Sequence, residues 1–297
     1  MEQKILEQKP TPERGSNVTI LIKFMRHGDR NKKNELIPEG VEIIKERARE
    51  SGIKKGEFDY VKPIGSNVDP KTPHNLGRSL ETAQIYAREI EGDEVFNTRA
   101  SRILNYKTLK NPTPYDHEKI YNSFLPPNYD QLSGEEQIEA NKTAQKEILN
   151  HAINLQTPEA EEFRKEVAGS FAYVLEHYRK IAKRLKSGKA VLIPAGVHGG
   201  TMEYLLQQAL SRKGEDGKEK IGFSQLVDIG GEFASPDSYN VVIETDENGE
   251  YKRLRINFDD PKRPQEEMYI DENKLKELAE YYRNLHADEL KELNIKK

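Results

Sequence analysis

Three features of the sequence predict an α/β fold, a three-layer α/β/α sandwich around a mostly parallel sheet. The first is a β-branched apolar run, Val18-Thr19-Ile20-Leu21-Ile22, with the length of a buried strand. The second is the helical spacing of Val41, Ile44 and Ala48 after it, which supplies the amphipathic helix of a crossover. The third is another buried strand, Val191 to Val197, preceded by a long helix with Phe163, Val167, Phe171, Val174, Tyr178, Ile181 and Leu185 on one face. Strands that alternate with amphipathic helices build right-handed βαβ units, with helices on both faces of the sheet.

The other elements follow in order. Met1 to Ser16 carries Pro10, Pro12 and Gly15 and little apolar periodicity, so residues 1–16 read as a flexible lead-in and 17–297 as a single domain. The first crossover helix runs from Glu39 to Glu50, with Pro38 near its start and Gly52 beyond its end. Phe58 to Ile64 is a short strand, and Gly65 to Leu76 is a loop leading to a helix with the stripe Leu80, Ala83, Ala87 and Ile90. Glu94 to Leu104 is a third strand, interrupted by Asn97, Arg99 and Ser101. Composition shifts from Tyr106 to Thr157, with Pro112, Pro114, Pro126 and Pro127 and then a capping box, Ser133 with Glu136, ahead of Ile138, Ala144, Ile148, Leu149 and Ala152. We read 106–157 as an insertion covering the site. Thr157-Pro158-Glu159 opens the long helix, which Gly188 ends. Met202, Leu205, Leu206 and Ala209 form a helix, Tyr239 to Phe258 a hairpin around Asn248-Gly249, and Leu275 to Leu290 a C-terminal helix.

Composition sets bounds on function. A chain of 297 residues, 35% hydrophobic and 33% charged, can bury a full core. Its 47 basic and 51 acidic residues are interspersed for a net charge of -4, which gives no reason to expect nucleic acid or an anionic membrane as partner. Without cysteine there are no disulfides, thiolate metal sites or cysteine nucleophiles. No apolar leader or run of about 18 apolar residues is present, so a cytoplasmic location is the default expectation. No helix carries an obvious extra apolar stripe that would mark a subunit interface.

The first strand ends in Arg26-His27-Gly28. The crevice beyond the carboxyl ends of strands is where ligands bind in open α/β sheets. Arg26 offers a planar fork of donors for phosphate oxygens, His27 a nitrogen that is neutral near physiological pH, and Gly28 close backbone approach. Two further elements follow in order: Gly77-Arg78-Ser79-Leu80-Glu81-Thr82-Ala83 at a helix start, and His198-Gly199-Gly200 after a strand. Together they resemble the histidine phosphatase superfamily, also called phosphoglycerate mutase-like, over residues 18 to 210 and onward to about 258.

The resemblance implies a phosphoglycerate mutase-like fold and a phosphatase without cofactor or metal. His27 becomes transiently phosphorylated, Arg26 and Arg78 clamp the phosphoryl oxygens, His198 donates a further hydrogen bond, and Gly28, Gly199 and Arg30 lie at the substrate. The partner is a small phosphorylated substrate or a phosphoprotein. A neutral imidazole suits attack on a phosphate dianion once cations neutralise its oxygens. Two histidines also fit a metal site, but no third ligand has matching spacing.

The signatures are mixed. Arg26-His27-Gly28-Asp29-Arg30 is similar to the acid phosphatase branch, and His198-Gly199-Gly200 to the mutase branch. Arg30, like Asn31 and Asn34, either reaches substrate or is solvated. The carboxylate that each branch uses as general acid is missing: Gly199 follows the second histidine, and Leu104-Asn105-Tyr106 follows the third strand. Asp116 or Glu118, within the insertion, is the substitute. If neither serves, the leaving group must depart easily, as from an acyl phosphate or a phosphohistidine. The absent acid also leaves open a non-catalytic phosphate-binding scaffold, beside a mutase-type phosphotransferase. His74 lies near the rim, Tyr121, Tyr129 and Tyr173 read as packing, and His151, His177 and His286 as surface residues. Glu81 favours the positive end of its helix.

Overall fold

The computed structural model describes residues 13–29, 35–66, 77–92, 99–101, 103–104, 117–214 and 217–295. In chain order these form β1 (Thr19–Arg26), α1 (Pro38–Glu50), β2 (Tyr60–Val61), β3 (Ile64–Gly65), α2 (Arg78–Glu91), β4 (Arg99–Ala100), α3 (His117–Ser123), α4 (Gly134–Asn154) and α5 (Pro158–Ala182). The second half comprises β5 (Ala190–Val197), α6 (Met202–Ala209), β6 (Leu210–Lys213), β7 (Glu219–Ile221), β8 (Ser238–Glu244), β9 (Arg255–Phe258), β10 (Met268–Ile270), α7 (Glu272–Leu285) and α8 (Ala287–Ile295).

Among the described residues the strands form one sheet in the order β4-β3-β5-β1-β8-β9-β10-β6-β7, with β2 also on β5. The sheet is mixed rather than mostly parallel. β1, β2 and β3 each pair parallel with β5, and β4 pairs parallel with β3. From β1 onward every pairing is antiparallel. The reason lies in the connections. Parallel neighbours need long crossovers, usually helices, and among the described residues no α-helix lies between β6 and β10, so those strands return by turns.

Side chains alternate along β1 and feed two cores. Ile20, Ile22 and Phe24 join Phe163, Phe171 and Leu175 of α5 and Leu205 of α6. On the other face Leu21 and Met25 meet Ile44 and Ala48 of α1 and Ala83, Tyr86 and Ile90 of α2. Phe24 packs its ring 4.9 Å from that of Phe171. Each such side chain contributes about 1.5–3 kcal/mol by leaving water.

Several expected boundaries move for local reasons. The capping box at Ser133 and the Thr157 cap with Pro158 start α4 and α5 as expected. Ala144, Ile148, Leu149 and Ala152 of α4 are buried, whereas Ile138 is exposed. The strand expected over Phe58 to Ile64 is split into β2 and β3 with Pro63, which has no N–H for a ladder, between them. Of the strand expected from Glu94 to Leu104, only Arg99–Ala100 is strand among the described residues. The C-terminal helix is interrupted at His286. The end of the expected lead-in is anchored: Gly15 N–H donates to Leu185 O (2.9 Å) and Gly188 N–H to Ser16 O (2.9 Å). Among the described residues no helix is long and apolar enough to cross a membrane.

Candidate active site

His27, His198 and Ser66 each directly follow the last residue of a strand: β1, β5 and β3. These strands are parallel neighbours in the order β3-β5-β1, with Gly65 opposite Gly196 and Arg26 opposite Val197. The three side chains therefore emerge together at the carboxyl edge of the sheet, the general location for ligands in such sheets. The His27 and His198 rings meet edge-on at 5.6 Å, and His198 Nε2 lies 3.0 Å from Ser66 Oγ. All three residues are buried.

The protonation state of His27 follows from its contacts. Nδ1 lies 2.9 Å from the carbonyl oxygen of its neighbour Gly28. A carbonyl only accepts, so Nδ1 carries the hydrogen and Nε2 is left with the lone pair. Burial, then the nearby Arg78 and His198, hold the His27 pKa well below the ordinary 6.5, with Arg26 adding to the effect against the Gly28 hydrogen bond. His27 is thus a neutral imidazole with a free Nε2 lone pair at physiological pH.

Arg26 is fixed on several sides. Its Nη1 donates to Phe233 O (2.7 Å) and its Nη2 to Gln145 Oε1. A Cβ on Gly199 would stand 2.6 Å from Arg26 Nε, so glycine at 199 makes room for the guanidinium. Gln145 belongs to α4, so a helix of the insertion contacts the site. Arg78 opens α2, whose first turn lies directly on the sheet: a Cβ on Gly65 would be 2.5 Å from Leu80 Cα, and one on Gly196 would collide with the Ser79 carbonyl. Thr82 ties this helix to the histidine loop, accepting from Gly28 N–H (3.0 Å) and donating to Arg78 O (2.7 Å).

The loop after the helical turn at Leu226–Ile229 touches the end of β1 at three points in all. Arg26 N–H donates to Asp237 O (3.0 Å), Ser235 Oγ donates to His27 O (2.8 Å), and Phe233 supplies the carbonyl on Arg26. Phe233 N–H in turn donates to Glu203 Oε1 (3.0 Å). Burial raises the pKa of Glu203, against that hydrogen bond and nearby Arg26 and Arg263. Burial also raises the pKa of half-buried Glu232, opposed by Arg26, Lys146 and Arg263 and aided by Glu147.

Of the residues singled out in the sequence, the structure brings together Arg26, His27, Arg78, His198 and Gly199. Gly28 is at the site with its N–H engaged by Thr82, so its backbone donor serves the fold rather than a ligand. Arg30, Asn31, Asn34, His74 and Asp116 lie outside the described residues, as does the side chain of Glu118. His286, expected at the surface, is buried with its Nε2 3.1 Å from Glu166 Oε1, because the interruption between α7 and α8 turns it toward α5. His177 is exposed, and Tyr121 and Tyr129 pack through hydrogen bonds with Asn141. Sequence reasoning missed Ser66, Gln145, Glu203 and the 229–237 loop. Only the glycine pair Gly230-Gly231 hinted at a close approach there. Among the described residues no group of three or more His, Asp or Glu side chains is arranged to hold a metal ion.

No family model matches the chain, and no curated protein matches its sequence. Among solved structures, a mycobacterial glucosyl-3-phosphoglycerate phosphatase is similar at 12% identity with a TM-score of 0.37, covering 81% of this chain and 98% of that one. A phytase from Klebsiella sp. ASR1 is similar at 10% identity with a TM-score of 0.41, covering 89% of this chain and 95% of that one. At such identities and scores the functional reading rests on the side chains themselves: two imidazoles, one of them held neutral with a free lone pair, with two arginines nearby at the carboxyl edge of the parallel half of the sheet.

Proposed function

We propose that the protein is a phosphatase that hydrolyses a phosphorylated small molecule or phosphoprotein through a phosphohistidine on His27. The observation that carries this reading is the His27 tautomer: with Nδ1–H committed to Gly28 O, the Nε2 lone pair is available to phosphorus. Arg26 and Arg78 supply the positive charge that a phosphate dianion needs, so the chemistry requires no metal or cofactor. Nε2 attacks phosphorus, the bond to the leaving oxygen breaks, and that oxygen takes up a proton. His198, already a hydrogen-bonding partner of Ser66, steadies the phosphoryl oxygens. Water then attacks the phosphohistidine, releasing phosphate and restoring the neutral ring. Arg30 is proposed to reach substrate as well, and Asp116 and Glu118, the acids expected from the insertion, have side chains outside the described residues.

The test is rapid-quench trapping with a labelled activated phosphodonor, worked up under alkaline conditions that preserve the acid-labile phosphohistidine. Label on the parent followed by phosphate release, and no label on His27→Ala, is the expected result. Phosphate binding with neither label nor turnover would instead make the chain a non-catalytic phosphate binder. Because burial and Arg78 keep His27 neutral, the acid limb of kcat/KM should lie below pH 6.5, and a limb at or above that value would contradict the assigned state of the nucleophile.

A further inference from the structure

Breaking the bond from phosphorus to an alkyl oxygen leaves an alkoxide, so an efficient enzyme holds a proton donor beside it. None of the groups placed on the phosphoryl oxygens can be that donor. His27 Nε2 is the nucleophile, His198 has its Nε2 turned to Ser66 Oγ (3.0 Å), and the arginines do not give up protons at physiological pH.

The 229–237 loop carries a carboxyl group, that of Glu232, beside the residues that hold Arg26. It hugs Arg26 and His27 through Phe233 O, Ser235 Oγ and Asp237 O. It is also held rigidly from behind. Arg263, only 4% exposed, donates to Ile229 O (2.8 Å), Gly231 O (3.0 Å) and Glu232 O (2.7 Å), lies 3.3 Å from Asp237 Oδ2, and stacks on the Phe233 ring at 3.9 Å. Gly230, at φ +80°, leaves space for the Arg263 stem that a side chain would fill. With the Phe233 side chain in the core, the neighbouring Glu232 stays half-buried, one residue from the carbonyl that holds Arg26.

Glu203 and Glu232 both lie near Arg26, and their burial separates them. Glu203 is fully buried and uses Oε1 on the Phe233 N–H, so it positions the loop. Glu232 is only partly buried and retains solvent contact. The charged groups around it are Arg26 at the end of β1, Lys146 and Glu147 on α4, and Arg263 behind the loop. Because α4 also holds Arg26, through Gln145 beside Lys146 and Glu147, Glu232 lies where the loop and the insertion helix both reach Arg26. We infer that Glu232 protonates the leaving oxygen as its bond to phosphorus breaks, and that its carboxylate then takes a proton from the water that attacks the phosphohistidine. The inference rests on the phosphohistidine reading above.

The test compares the parent, Glu232→Gln, Glu147→Gln and His27→Ala on p-nitrophenyl phosphate and glycerol 2-phosphate. Burst-phase kinetics monitor phosphoenzyme formation. In Glu232→Gln, enzyme phosphorylation by glycerol 2-phosphate should fall at least about 100-fold and by p-nitrophenyl phosphate less than about 3-fold, and the alkaline limb with glycerol 2-phosphate should vanish. Glu147→Gln should resemble the parent. If His27→Ala is dead while Glu232→Gln slows both substrates equally, or neither, Glu232 alone is excluded. A leaving-group-dependent loss in Glu147→Gln would exclude it too, as would a parent that turns over p-nitrophenyl phosphate but not glycerol 2-phosphate. If His27→Ala keeps turnover, or the parent cleaves neither substrate, the nucleophile assignment falls and this proposal with it.

Discussion

Gly199 is defined by what lies against it. Its position is filled by the Arg26 guanidinium, which Phe233 O and Gln145 hold in place. In Gly199→Ala the guanidinium has to move, and a displacement of an ångström at a phosphoryl clamp should reduce kcat/KM about 10–100-fold. Folding should be unaffected; an activity near that of the parent would show that Arg26 does not need this placement. The Arg26-His27-Gly28 and His198-Gly199-Gly200 triplets were legible because they are contiguous and follow recognisable strands. Ser66, Gln145 and Glu232 were not, because each is an ordinary polar residue whose neighbour at the site, His198 or Arg26, comes from 119 to 206 positions away. Their role exists only once β3, α4 and the 229–237 loop reach the end of β1.

At the scale of elements, the site depends on how closely α2 lies on the sheet. Gly196 sits in β5 where the Ser79 carbonyl presses down, and Gly65 does the same in β3. Gly196→Ala should push the first turn of α2 away, costing about 3 kcal/mol or more through backbone overlap. It should also displace Arg78, so chemical denaturation and phosphate affinity should fall together. Stability equal to the parent would mean the helix can dock elsewhere. The long elements were readable because α1, α2, α4 and α5 repeat apolar residues at helical spacing and α4 and α5 carry side-chain caps. β2, β3, β4, β6, β7 and β10 have two to four residues each, too few to show a period. Long-range pairing decided them instead.

Over the whole molecule the sheet joins a parallel half that carries the site to an antiparallel half that braces it. The sequence predicted the β8–β9 hairpin, but nothing local in Tyr239 to Glu244 announces that β8 lies antiparallel on β1. Far from the site, the buried Glu166–His286 contact joins α5 to the end of α7. Burial, with Glu162 and Glu289 adding to it, pushes Glu166 up to about 7, and burial lowers His286. A carboxyl with a raised folded pKa binds more protons when folded, so its contribution is complete below about 4.5 and is lost as pH rises through about 7. His286 acts in the opposite sense: its stability contribution is lost as pH falls below 6.5. Thermal unfolding should therefore show Tm falling from pH 6 to pH 8 in the parent and falling less in Glu166→Gln. Superimposable pH profiles would remove Glu166 from the account.

The seam strand also governs how the protein is made. β1 takes its partners from residues 190–197 on one edge and 238–244 on the other. On a ribosome, β1 emerges first and waits for about 170 further residues, roughly 10–30 s at ordinary elongation rates, with both edges open. Its unpaired backbone edges are open to other nascent chains throughout that interval. His27 cannot meet His198, nor Arg26 the Phe233 carbonyl, until most of the polypeptide has been synthesised. Nascent chains halted before β5 should therefore carry the nucleophile without a site around it, and solubility during synthesis rests on whatever shields that first strand.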